Sequence, residues 1–189
     1  MQGKEKLLHL LSRYIPLSEE EKVLVINSLK PQMLPKGGHF LEVGTLNQKI
    51  AFIESGLIRG YYDDEEGEEI TSGFIESDSL CTDLESYQRG GRSHRNLEAL
   101  VDCQLWVIEL SAMESLRLFI EGWMHFEQKY MADLLLKKVH FQRKIASANA
   151  SRAYEVFMEF YPQAARFAPR YQIASFLGIS PYTLSRIKI

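Results

Sequence analysis

The polar residues close to the C-terminus are of the types that contact nucleic acid. Arginine, lysine, tyrosine, serine and threonine side chains donate hydrogen bonds to phosphate oxygens, and arginine also reads the edge of guanine. They can act together only if a helix presents them on an exposed face while its other face is buried. Six residues within a span of nine positions form the predicted set of DNA contacts: Ser180, Tyr182, Thr183, Ser185, Arg186 and Lys188.

The residues around this set have the spacing of a helix-turn-helix. Gly178 suits the left-handed position that ends a first helix, and Ser180 followed by Pro181 is a typical start of a second helix. Apolar residues occur where the two helices would bury them: Ile173, Ala174, Leu177, Ile179, Leu184 and Ile187. A second helix held in this way fits the DNA major groove. A plain helical hairpin is the alternative interpretation of the same pattern.

The distribution of charge along the chain favours a polyanionic partner for the C-terminal part. The net charge of the whole chain is −3. Residues 1–110 carry 11 basic and 19 acidic side chains, whereas residues 137–189 carry 9 basic and 2 acidic ones, a balance of +7. Opposite charges in the two parts predict two modules with different partners, and nucleic acid is the commonest polyanion.

The composition is that of an ordinary globular protein. The chain has 189 residues, of which 46% are hydrophobic and 25% charged, and this length predicts one large domain or two small ones. No segment is long and apolar enough to span a bilayer, and the first residues lack a signal-peptide core, so we expect a cytoplasmic protein without a membrane partner. Cys81 and Cys103 are too few for an all-cysteine metal cluster and are expected to be buried thiols. We expect neither a metal nor another cofactor.

Residues 1–110 are predicted to begin with short helices and to continue as β structure. Ser18 and Glu21 form a capping box before a helix that Pro31 ends. Between 33 and 110, short apolar runs are separated by turns that contain glycine, for example at Gly56 and Gly67. Many short strands at this spacing favour an antiparallel sandwich or jelly roll.

Residues 111–146 are predicted to form a long helix that is interrupted near Gly122. A second capping box, Ser111 with Glu114, would start it. Apolar residues then recur every three or four positions, and such a seam packs either on the β domain of its own chain or against a second copy. We expect both, and therefore a homodimer. The predicted dimer contacts are Leu116, Ile120, Trp123, Tyr130 and Leu134.

Four short motifs carry a family resemblance: Ser151-Arg152-Ala153-Tyr154, Tyr161-Pro162, the run from Ile173 to Ser180, and Leu184-Ser185-Arg186-Ile187. With the order of the parts, they resemble the Crp/Fnr family of bacterial transcription regulators. The resemblance implies an α+β fold: a jelly roll of the cyclic-nucleotide-binding type in 1–110, dimerisation and linker helices in 111–146, and a winged-type helix-turn-helix in 147–189. It also implies a homodimer that binds a palindromic promoter site in double-stranded DNA, with RNA polymerase as a further partner.

The predicted effector pocket departs from the pattern of the members that bind cyclic AMP. Those members hold ribose with a Gly-Glu pair and the cyclic phosphate with an Arg-Ser pair. Here Cys81-Thr82 stands where Gly-Glu falls, the only Arg-Ser pair is one residue early, and Asp83 and Glu85 add negative charge. We therefore predict that cyclic AMP is not the effector, and that another small molecule, or none, takes its place. The residues assigned to the pocket are Cys81, Thr82, Arg92, Ser93 and His94.

Two functions of other classes compete with a DNA-binding regulator. A cupin-type metalloenzyme would share the sandwich, but it needs clustered histidine and glutamate ligands, and His39 with Glu42 alone is an incomplete ligand set. A cyclic-nucleotide-binding scaffold without DNA binding would leave the basic C-terminal motif unexplained. The sequence has no Gly-rich phosphate loop, nucleophile elbow or His-Glu-x-x-His motif, so we predict no catalytic residue and no enzymatic activity.

Overall fold

The middle of the chain folds as two four-stranded antiparallel sheets that pack face to face. The computed structural model describes residues 2–187. The strands are β1 Lys30–Leu34, β2 His39–Leu41, β3 Lys49–Ser55, β4 Leu57–Asp63, β5 Glu69–Glu76, β6 Leu80–Cys81, β7 Asn96–Ala99 and β8 Cys103–Glu109. One sheet has the order β1-β8-β3-β6 and the other β2-β7-β4-β5. The predicted β region and its antiparallel character are confirmed.

Strand β3 shows why the first sheet lies inside the molecule. Four consecutive residues, from Ile50 to Ile53, are buried. Because successive side chains point to opposite faces of a strand, such a run needs cover on both sides. Ala51 and Ile53 lie in the core between the sheets, whereas Ile50 and Phe52 pack on the outer face against helical residues.

The helices on this outer face come from both ends of the β region. They are α1 Gln2–Ser12, α2 Glu19–Ser28, α4 Leu110–Phe119 and α5 Trp123–Ile145, while the short α3 Leu84–Arg89 lies within the β region. The capping box of α2 is confirmed, since the backbone N–H of Glu21 donates to Ser18 Oγ at 3.2 Å and the Glu21 carboxylate accepts from the Ser18 N–H at 2.8 Å.

The long helix of residues 111–146 is divided, as its sequence predicts. Gly122, with φ of 81°, forms the break between α4 and α5. The second predicted capping box is wrong. Helix α4 begins at Leu110 with Glu109 in the N-cap position, so Ser111 lies inside the helix and cannot cap it.

Four further helices complete the described chain, and residues 111–187 contain no strand and thus no β-hairpin wing. They are α6 Ala150–Phe160, α7 Pro162–Phe167, α8 Arg170–Leu177 and α9 Pro181–Ser185. Their aromatic side chains enclose Phe74 of β5, whose ring centroid is 5.7 Å from that of Phe157 and 5.5 Å from that of Phe176.

Polar contacts join the same helices to β5. The Glu76 carboxylate accepts from the N–H groups of Gln163 and Ala164 at 2.8 and 3.0 Å. The Thr71 N–H donates to Ser175 Oγ at 3.0 Å. The C-terminal helices therefore cover an edge strand of the second sheet, which would otherwise expose unpaired backbone groups.

Candidate nucleic-acid interface and sensor groove

Helices α8 and α9 have the predicted helix-turn-helix geometry. Gly178, with φ of 66°, ends α8, and its N–H donates to the carbonyl groups of Ala174 and Ser175. Ser180 caps α9 by accepting from the Thr183 N–H at 3.0 Å. Ala174 and Leu184 are both fully buried where the two helices meet. Backbone geometry, cap and core thus agree in fixing α9 with one face outward.

The outward face of α9 presents an aromatic ring and a guanidinium. Tyr182 is 70% exposed, and the guanidinium carbon of Arg186 lies 5.6 Å from its ring centroid. Arg186 Nη1 is 3.4 Å from the Tyr182 hydroxyl oxygen. The Tyr182 side chain therefore orients the Arg186 guanidinium but leaves most of the guanidinium N–H donors free.

The other predicted DNA contacts differ in whether their polar groups already form hydrogen bonds within the chain. The hydroxyls of Ser180 and Thr183 lie 2.8 Å apart within the cap. The Ser185 hydroxyl donates to the Tyr182 carbonyl at 2.7 Å. Lys188 lies outside the described residues. Among the described members of the set, Tyr182 and Arg186 therefore have the polar groups best placed for an external partner.

Arg170 supports α9 and was not predicted from the sequence. Its Nη2 donates to the carbonyl of Leu184 in the last turn of α9, and its guanidinium carbon lies 5.3 Å from the ring centroid of Tyr154. A cation at the C-terminal end of a helix satisfies carbonyl groups that have no partner within the helix. The only signal in the sequence is a basic residue at the start of α8, which does not reveal what the side chain contacts.

A groove of about 930 Å³ runs between the second sheet and α5. One part of it is polar and is formed by Thr82, Asp83, His94 and Arg95. The rest has an apolar lining from both sides, formed by Phe74, Phe126, Tyr130, Met131 and Leu134, and charged side chains that include Glu127, Lys137 and Lys138. A cleft of this size, mostly apolar with a few convergent polar groups, is typical of a small-molecule site.

The five residues assigned to an effector pocket do not all face this groove. Thr82 and His94 line it. Cys81 and Ser93 are buried, and burial raises the pKa of the Cys81 thiol, which therefore stays protonated. Arg92 is exposed and donates to the Gly44 carbonyl at 2.6 Å. The guanidinium that reaches the groove belongs to Arg95, three residues further along the chain.

Asp83 is the centre of the polar end of the groove. Its Oδ2 accepts from Ser86 Oγ at 2.7 Å and from the His94 N–H at 3.3 Å, and its Oδ1 accepts from Arg95 Nε at 3.0 Å. Ser93 Oγ lies 3.3 Å from Oδ2 and donates to the Arg95 carbonyl at 2.7 Å. Burial by itself would raise the pKa of this carboxyl. The hydrogen bonds and the charge of Arg95 outweigh burial and hold the pKa below its usual value, so Asp83 is ionised at neutral pH.

The predicted dimer contacts lie in several different environments along α4 and α5. Leu116, Ile120 and Trp123 are buried in the core that α1 shares with the first sheet, so they cannot form a surface seam. Tyr130 is half-buried and accepts from the Leu80 N–H at 2.8 Å, and Leu134 lines the groove. The exposed stripe of α5 consists of other residues: Met124, Ala132, Leu135, Leu136 and Val139. A dimer interface along α5 would therefore use this stripe.

The structure also bears on the alternatives from other classes. Within residues 2–187, no group of three or more histidine, cysteine, aspartate or glutamate side chains is placed to hold a metal ion. In the same range, no helix is long and apolar enough to cross a membrane. His39 and Glu42 form no such cluster, and His39 Nε2 instead lies 3.0 Å from the Tyr61 hydroxyl.

Comparison with known proteins shows what this architecture is similar to. Residues 31–118 match the family model of the cyclic nucleotide-binding domain. No curated protein matches the chain significantly. FixK2 from Bradyrhizobium japonicum is 15% identical, with a TM-score of 0.68, over 84% of this chain and 82% of that one.

Two further solved structures are similar over most of their length. A transcriptional regulator of the crp/fnr family from Eubacterium rectale is 20% identical, with a TM-score of 0.69, over 93% of this chain and 85% of that one. The c-di-GMP responsive global regulator CLP of Xanthomonas campestris is 12% identical, with a TM-score of 0.69, over 90% and 89% of the two chains.

These matches define the class of the molecule. Residues 31–118 match the cyclic nucleotide-binding domain, and over most of its length the chain has the fold of a solved regulator of the crp/fnr family. The family resemblance and the α+β fold class inferred from the sequence are thereby confirmed, except that the described residues contain no strand after β8 and so no wing. Two of the similar structures named above are described as regulators, one of the crp/fnr family and one responsive to c-di-GMP.

Proposed function

We propose that the protein is a homodimeric transcription regulator of the Crp/Fnr type that acts in the cytoplasm and binds a palindromic site in double-stranded DNA through α9. The observation that carries this proposal is the helix-turn-helix, in which a buried Leu184 and the Ser180 cap hold α9 so that Tyr182 and Arg186 face outward. A helix presented in this way can enter the major groove. The balance of +7 over residues 137–189 supports attraction to phosphate, and RNA polymerase is a further proposed partner.

The proposed dimer forms along the exposed stripe of α5. Leu135, Leu136 and Val139 are 59%, 53% and 43% exposed, which is unusual for aliphatic side chains so close together on one helix. A second copy of α5 that packs on this stripe would bury them. A two-fold axis along α5 would also relate two copies of α9, as a palindromic DNA site requires.

The sensor domain is proposed not to bind cyclic AMP. Support comes from Asp83, whose carboxylate lies at the polar end of the groove, and from the absence of a Gly-Glu pair at Cys81-Thr82. A cyclic phosphate at this end would meet a negative charge. We place any other small-molecule effector in the apolar part of the groove.

The test is a DNA titration of Arg186→Ala. The probes are a duplex selected from a random pool by the parent protein and an unselected duplex of equal length, each at two salt concentrations. If Arg186 binds a guanine through two hydrogen bonds, the variant should lose about 1–3 kcal/mol on the selected duplex alone. If Arg186 binds only phosphate, the loss of affinity should be equal on both duplexes. The slope of the logarithm of affinity against the logarithm of salt concentration should then become less steep by about one.

A matched control removes an arginine from the sensor domain. Arg89 of α3 is exposed and pairs with Glu85 at 2.9 Å. Arg89→Ala should leave both titrations unchanged. If Arg186→Ala folds normally and also changes neither affinity, α9 does not read DNA. If the parent protein selects no duplex at all, the scaffold without DNA binding becomes the better interpretation.

A further inference from the structure

We infer that the Asp83 carboxylate permanently occupies a hydrogen-bonding cradle at the polar end of the groove. The chain itself thus supplies the negative charge and the hydrogen-bond acceptors that a bound anion would otherwise supply. Three donors converge on this one carboxylate, from α3 and from the turn before β7. They are Ser86 Oγ, the His94 N–H and Arg95 Nε, and Ser93 Oγ lies beside them at 3.3 Å.

Burial makes this arrangement more than a surface ion pair. Asp83 is 4% exposed and Ser93 2% exposed. A carboxylate that leaves water is tolerated only when hydrogen bonds and an opposite charge replace its hydration, and here both oxygens have such partners. The donors in turn depend on the carboxylate, because without it the Arg95 guanidinium, whose side chain is only 25% exposed, would lose its ion-pair partner.

A second layer of contacts holds the cradle in place. Asn47 is 3% exposed, and its Nδ2 lies within hydrogen-bond distance of Thr82 Oγ1 at 2.9 Å, the Asp83 carbonyl at 2.9 Å and Ser86 Oγ at 3.1 Å. The donors are therefore oriented before any ligand arrives. Preorganised donors around a single site are the arrangement that binds small anions tightly.

The cradle also connects to α5. Asp83 precedes α3, and Tyr87 of α3 donates its hydroxyl to the Glu127 carboxylate of α5 at 3.1 Å. Arg117 binds the same carboxylate through its Nε at 2.9 Å and its Nη2 at 3.0 Å. By fixing the start of α3, the internal carboxylate fixes the position of α3 against α5 without a ligand.

The specificity of the groove follows from the same geometry. Thr82, Asp83, His94 and Arg95 all line its polar end. A ligand that carries a phosphate or carboxylate would meet the negative charge of Asp83 there and would find Arg95 already paired. The cradle thus excludes anionic groups from this end of the groove.

Removal of the carboxylate tests the inference directly. Asp83→Ala should melt at a lower temperature than the parent, and inorganic phosphate or acetate should raise its melting temperature in a saturable manner. Neither anion should change the melting temperature of the parent beyond the effect of chloride at equal ionic strength. Titration calorimetry with inorganic phosphate should likewise detect a saturable heat of binding for the variant and none for the parent.

Two double variants show which arginine forms the cradle. In Asp83→Ala with Arg95→Gln, the response to phosphate should disappear. In Asp83→Ala with Arg92→Gln, it should persist, because Arg92 binds the Gly44 carbonyl outside the cradle. Loss of the response in both variants, or in neither, would contradict the assignment.

A further variant covers the case in which Asp83→Ala does not fold. Asp83→Asn keeps the shape of the side chain but removes its charge, and it should lower the folding equilibrium constant about tenfold or more. The inference is overturned if Asp83→Asn is as stable as the parent, if phosphate stabilises the parent and Asp83→Ala equally, or if a folded Asp83→Ala shows no anion response. None of these measurements involves DNA, so their outcome is separate from that of the proposed function.

Discussion

Two regions of the molecule place an arginine among hydroxyl groups, and they differ in where the partner comes from. At the polar end of the groove, Arg95 and the Ser86 hydroxyl donate to the carboxylate of Asp83, and the Ser93 hydroxyl lies beside it. On α9, Arg186 stacks on an exposed tyrosine, and no carboxylate of the described part of the chain pairs with it. Donors satisfied within the chain stabilise the fold, whereas donors left at the surface remain available to a polyanion.

The largest effect is expected from a substitution in the core beneath α9, because that core holds the exposed donors of α9 in place. Leu184 is fully buried, so Leu184→Asp would place a charge in an apolar site and remove a packed side chain, at a cost of about 3–5 kcal/mol. We expect α9 to lose its position and DNA binding to fall below that of Arg186→Ala. Denaturation curves and the selected-duplex titration measure the two effects.

Leu118→Asp is the control for this substitution, because Leu118 is 77% exposed and the charge enters water. That variant should be close to the parent in stability. Parent-like DNA binding by Leu184→Asp would mean that the exposed groups of α9 do not depend on its buried face.

A substitution in the exposed stripe of α5 tests whether a second copy of the chain packs against these apolar side chains. Full burial of a leucine contributes about 1.5–3 kcal/mol, and the half-exposed Leu136 would gain part of this from each copy. Leu136→Asp should therefore weaken the dimer by at least about tenfold, measured by sedimentation equilibrium. Val23→Asp on α2, where the side chain is 55% exposed, should leave the dimer intact. A parent protein that sediments as a monomer at micromolar concentration would contradict the dimer.

The smallest effect is expected at the helix caps. Ser180→Ala removes the side chain that accepts from the Thr183 N–H and should cost about 1 kcal/mol of stability. Ser111→Ala is the matched control, because Ser111 is exposed inside α4 and caps no helix end. Equal losses in the two variants, measured by chemical denaturation, would show that the cap contributes nothing specific to α9.

The sequence by itself determined the features that depend on local chemistry. Gly178, Ser180 and Pro181 set the turn of the helix-turn-helix, because a left-handed position, a side-chain cap and a fixed φ are properties of single residues. The strands and their order along the chain followed from short apolar runs between turns. Gly122 marked the break between α4 and α5 for the same reason.

Only the tertiary structure decided which partners the buried and polar groups meet. Periodicity shows that Leu116, Ile120 and Trp123 share a face, but a core of the same chain and a second copy would bury that face equally well. The sequence assigned Arg92 to the effector pocket, but in the fold Arg92 binds the Gly44 carbonyl and Arg95 is the arginine that meets Asp83. The docking of the C-terminal helices on β5 depends on contacts between residues far apart in sequence, for which no local pattern exists. The cradle around Asp83 is closer in sequence, but it depends on the irregular turn before β7, which no periodicity marks.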